Sequence, residues 1–158
     1  MRIAFLFLLT VVVATAQTAS TLRQKYGEPT SDTYDGQPVE IYRVRPDIKL
    51  TVRFTKHGDI CSMIIAPLSE PTNGKPSLLK SQPLDDVINE LVSKDQRGKY
   101  LMGTFLNLTC LPNNDCYGTE EDYQRVLIHK HGSTDAHPYA SISWKGRTCA
   151  QRTKGNAR

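Results

Sequence analysis

The most constraining feature of the chain is the alternation that begins at residue 50. Leu50, Val52 and Phe54 are apolar while Thr51, Arg53 and Thr55 between them are polar, the period of two that a half-buried strand requires. His57-Gly58-Asp59 then reads as a tight turn and Ile60 to Ala66 as the returning strand. Upstream, Val39 to Arg45 has strand character, with Pro46-Asp47 as its turn. Connections this short place the three strands in one antiparallel meander and leave no room for a parallel crossover.

The rest of the chain supplies helices and a second strand group. Leu22 to Tyr26 reads as a short helix stopped by Gly27 and Pro29, and Asp32 to Pro38 as a loop. Residues 67–83 carry four prolines and read as a long connection. In the next segment Leu84, Val87, Ile88, Leu91 and Val92 recur at helical spacing, with Asp85 and Asp86 in the first turn and Glu90 facing water. Leu101 to Leu111 is apolar and fits a strand or a buried helix. Asp122 to His131 and His137 to Lys145 form a final hairpin. The expected fold class is α+β: an antiparallel sheet of about five strands with helices packed on one face, in a single domain over residues 17–145.

Met1-Arg2, the apolar run from Ile3 to Ala14 and the small residues Ala14-Thr15-Ala16 have the layout of a cleaved signal peptide over residues 1–16. A secreted or periplasmic location follows, and the run is too short for a membrane span. The four cysteines then enter an oxidising compartment, which favours two disulfides. The turn-forming spacer Leu-Pro-Asn-Asn-Asp pairs Cys110 with Cys116, which leaves Cys61 for Cys149. The net charge of +4 does not mark a nucleic-acid surface. Arg2 and five basic residues of the acid-free stretch 145–158 account for more than all of it, and the body between them carries −2. Residues 146–158 read as a basic C-terminal tail.

Leu22-x-x-x-Tyr26-Gly27-Glu28-Pro29, followed by a strand pair ending in Val52-Arg53-Phe54-x-x-x-Gly58-x-Ile60, resembles the half-motif of small exported bacterial proteins of the SmpA/OmlA and beta-lactamase-inhibitor-protein type. The general look is also that of uncharacterised secreted bacterial proteins. The resemblance covers residues 22–66. It implies a short helix before antiparallel strands, and a protein that binds other proteins rather than one that catalyses. No cysteine precedes Cys61, so the acylated cysteine of the SmpA pattern has no counterpart here.

Two groups of side chains are candidates for a site. A hairpin register with His131 opposite His137 pairs Val126 with Ile142 and His129 with Tyr139, which puts His129, His131 and His137 on one face. Three imidazoles so placed can converge on a zinc or copper ion. Arg43 and Arg45 occupy alternate positions of one strand, and with Arg53 and Tyr139 they form an expected binding face suited to a carboxylate or phosphate, or to a protein partner. The chain contains no G-x-S-x-G, H-E-x-x-H or C-x-x-C pattern. The expected function is therefore a non-enzymatic binding module for a protein or envelope component, with a metal-binding protein or metallohydrolase as the alternative.

Overall fold

The computed structural model describes residues 18–34, 36–68, 81–109, 115–133 and 139–150. It contains the helices α1 (Ala19–Tyr26), α2 (Ser81–Leu91) and α3 (Lys94–Arg97). The first four strands are β1 (Thr30–Tyr34), β2 (Gln37–Arg45), β3 (Ile48–Phe54) and β4 (Ile60–Pro67). The second four are β5 (Tyr100–Thr109), β6 (Asp115–Tyr123), β7 (Val126–Ser133) and β8 (Tyr139–Trp144). All eight belong to one antiparallel sheet in the order β1-β2-β3-β4-β8-β7-β6-β5. Two four-stranded meanders are thus joined where the last strand pairs with the fourth, Met63 lying opposite Ile142 and Ile65 opposite Ala140.

This overturns the α+β, five-strand expectation. The protein is mostly β, with eight strands against three helices of 8, 11 and 4 residues. Three strands were not foreseen as such. β1 lies in the stretch that begins the expected loop at Asp32, and all five of its residues are exposed. An edge strand of this kind is held by backbone pairing to β2 and needs no apolar pattern. β5 is the ambiguous apolar stretch. β6 carries Glu120-Glu121-Asp122, which find partners within the molecule: Glu121 accepts from Lys130 of β7 at 2.6 Å, and Asp122 pairs with Lys145 just after β8.

Local chemistry explains the helix ends. Thr18 caps α1 reciprocally with Thr21, each side-chain oxygen taking the other's backbone N–H. Gly27, at φ 85°, closes the helix by donating to the Arg23 carbonyl, a conformation in which a β-carbon is strained. Ser93 and Gln96 repeat the reciprocal cap at α3.

The core lies on one sheet face. Tyr42, Leu50, Val52, Met63, Ile65, Ile128, Ala140 and Ile142 from five strands share a buried cluster with Leu22 of α1 and with Leu84, Val87, Ile88 and Leu91 of α2. Beyond the apolar contacts, Arg97 is buried at 6% exposure, donating to the Val92 carbonyl and to Asn89 Oδ1 with its guanidinium over the Tyr123 ring.

Glu90, expected to face water, is instead the junction between helices and sheet. Its carboxylate accepts from Tyr26 Oη at 2.6 Å, from Lys25 Nζ at 2.9 Å and from Arg45. The hydrogen bond from Arg45 is the main force holding the Glu90 carboxyl down to a pKa of about 2, assisted by Tyr26 and Lys25 against the opposing effect of burial. A depressed carboxyl stabilises the fold above its unfolded pKa near 4.5, and that stabilisation fades as pH falls toward 2. Glu90→Gln should cost about 1–3 kcal/mol at pH 7, and urea unfolding should show the deficit shrinking below pH 4.5. A deficit that is constant down to pH 2.5 would contradict the assignment.

Residues 146–150, expected to begin the tail, are tied back to the β3–β4 hairpin. Cys149 forms a disulfide with Cys61 at a Cα–Cα distance of 5.3 Å, Ala150 N–H donates to the Phe54 carbonyl, and Arg147 donates to the Ile60 carbonyl. The expected Cys110–Cys116 bridge and residues 1–16 lie outside what is described. Among the described residues, no helix is long and apolar enough to cross a membrane.

Candidate functional site

Strand register decides which side chains share the face opposite the core. Thr51, Ile64, Ser141, His129, Glu120 and Thr104 form one row across β3, β4, β8, β7, β6 and β5. Tyr139 and His131 form the adjacent row, and Arg53, Ser62 and Ser143 flank on the other side. The buried residues of α1 and α2 belong to the core cluster, so among the described residues this second face is the more open one, with Thr51 on it still buried.

At its centre three rings stack. His129 and His131 have centroids 6.1 Å apart with planes inclined by 10°, and His131 and Tyr139 are at 4.5 Å and 9°. Positions two apart on β7 supply the first pair, and the cross-strand pairing of His131 with Tyr139 supplies the second. Glu120 Oε2 lies 3.2 Å from His129 Nε2 and anchors that end of the ladder. Burial, and secondarily the neighbouring His129, lowers the His131 pKa below its ordinary value. Both effects favour the neutral imidazole, which presents an aromatic surface rather than a cation.

The observed β7–β8 register differs from the expected one by two residues. Val126 pairs with Trp144, Ile128 with Ile142, and His131 with Tyr139 rather than with His137. A slip of two preserves which face each residue occupies, so the face assignment of His129 and His131 survives while their partners change. His137 lies outside the described residues. Among those described, no group of three His, Cys, Asp or Glu side chains is placed to hold a metal ion.

The three arginines are not brought together. Arg43 is exposed and is bound to its own turn, Nε and Nη2 donating to the Pro46 carbonyl at 3.1 and 2.5 Å. Arg45 follows a β-bulge between Arg43 and Arg45 that breaks the alternation, and it reaches Glu90 of α2. Only Arg43, Arg53 and Tyr139 of the four expected binding residues remain available on the open side. Glu120 is not among the residues expected from the sequence to form a site. The signal for it was charge: Glu120 lies directly opposite His129, and Glu121 reaches Lys130 diagonally across the same ladder.

Ser141 is directly opposite His129, so Glu120, His129 and Ser141 run in line. Among the described residues no hydrogen bond joins Ser141 to His129. A second concavity of about 620 Å³, lined by Lys56, His57, Asp59 and Arg147 among others, opens beside the β3–β4 turn. Its arginine is already committed to the Ile60 carbonyl and lies 5.8 Å from the Trp144 ring centroid, which makes it a structural clamp rather than an anion receptor. No protein-family model matches the chain, and no curated protein or solved structure shows detectable similarity to it.

Proposed function

We propose that this is an exported, non-enzymatic binding module that holds a protein or other envelope component on the open face of its sheet. The observation that carries the reading is the Tyr139–His131–His129 ladder. A pre-stacked aromatic surface, 40% exposed at Tyr139, offers contact area at little ordering cost. Export is supported by the Cys61–Cys149 disulfide, a bond that persists in oxidising compartments, and by the signal-like leader in the sequence.

The test is the double variant His131→Ala, Tyr139→Ala. Substitutions at such positions should change stability by no more than about 0.5 kcal/mol each, while a partner retained from the envelope fraction by immobilised wild-type protein is lost. Retention of the same partner by the folded variant would move the site off this face. Stoichiometric zinc or copper in protein purified without a histidine tag would favour a metal centre on His129, His131 and His137 instead.

A further inference from the structure

The two edges of the sheet are built differently. β1 is five residues long, polar throughout and carries Asp32, the kind of charged, short edge that resists pairing with another chain. β5 is ten residues long, has a neighbour on one side only among the described strands, and contains neither a charge nor a proline. Tyr100, Leu101, Met102 and Phe105 on it are 53%, 53%, 56% and 69% exposed. They are four of the seven large apolar side chains left exposed among the described residues.

Phe105 shows why this edge is unfinished. The register sets it in one row with Thr119, Lys130, Ala140, Ile65 and Leu50, so it stands on the core face. The apolar layer thus continues out to the last strand, where Phe105 is left 69% exposed and none of the described residues covers it.

We infer that β5 pairs antiparallel with the β5 of a second copy of this chain, joining two sheets into one. The occupant follows from charge. β5 offers no counter-charge to an acidic or basic segment, and Glu120, Glu121 and Asp122 of β6 behind it are paired within the same molecule with His129, Lys130 and Lys145. A neutral apolar strand is complementary to its own copy, and antiparallel pairing about a two-fold axis is self-consistent. Directly opposed residues share a face, so a two-fold beside Phe105 sets that ring across from its own copy and extends both cores toward the junction. Each exposed aromatic ring there has roughly 150–250 Å² to bury when fully covered.

Sedimentation equilibrium of the leader-free protein tests this. The wild type should be a dimer, and Phe105→Lys should weaken self-association by about 100-fold with its far-UV circular dichroism unchanged. Thr33→Lys on β1 should leave the dimer intact. Hydrogen exchange on the wild type alone supplies an independent reading: β5 amides should gain protection as concentration rises. A wild type that is monomeric at roughly 100 µM, a dimer that persists in folded Phe105→Lys, or β5 amides insensitive to concentration would each overturn the inference. A monomer whose β5 instead pairs with a neutral peptide of another protein would overturn it as well.

Discussion

Replacing Cys61 and Cys149 together by serine should destabilise the protein by about 4–5 kcal/mol, the largest effect expected of any change outside the core. The two residues are 88 positions apart in sequence, and closing a loop of that length removes about this much chain entropy from the unfolded state. The native state loses something too, because the bridge helps anchor residues 146–150 against the β3–β4 hairpin. The thermal midpoint should fall by roughly 10–20 °C, and reducing agent should lower the wild type to the level of the variant. A shift under about 1 kcal/mol would mean that the hydrogen bonds of Ala150 and Arg147 hold the segment without the bridge.

Ile142→Ala should cost about 2–5 kcal/mol, the range for truncating a fully buried isoleucine. Ile142 is 0% exposed and lies between Met63 of β4 and Ile128 of β7, where the two meanders meet. Its neighbour in sequence, Ser141, points to the other face. Ser141→Ala should therefore change stability by no more than about 0.5 kcal/mol. Urea unfolding of the two variants side by side checks the face assignment on which the proposed binding surface depends. Equal losses would show that both faces of β8 are packed.

That contrast also marks what can be read from the amino-acid order. β3 and β4 were legible because one face is buried and one is not, so Leu50, Val52, Met63 and Ile65 alternate with polar or less buried neighbours. The helical stripe of Leu84, Val87, Ile88 and Leu91 was legible for the same reason. β1 was not, since a strand held only by backbone pairing leaves no apolar trace. β6 was hidden because Glu120 and Glu121 find His129 and Lys130 on the adjacent strand, which composition cannot distinguish from a solvated loop. The fold class was misjudged through these omissions. At the site, periodicity placed His129 and His131 on the correct face, whereas the two-residue shift that seats Tyr139 on His131 depends on the connection between β7 and β8. Arg45 was misplaced because a bulge reverses a strand's alternation without any mark in the residues around it.

The pairing of the final strand with the fourth has a consequence during synthesis. A chain made from its N-terminus completes β4 early and pairs it with β3, yet the stretch from Ser62 to Ile65 has no neighbour on its other side until Ala140 to Ser143 emerge. Each meander assembles from neighbours in sequence, but the central ladder must wait for nearly the whole polypeptide, a high-separation contact of the kind that slows folding. Through that interval the nascent first half carries a bare apolar edge in mid-sheet and an unpaired Cys61 thiol at its start. The molecule thus needs protection from stray strands and premature oxidation while it is being made, more than after it is finished.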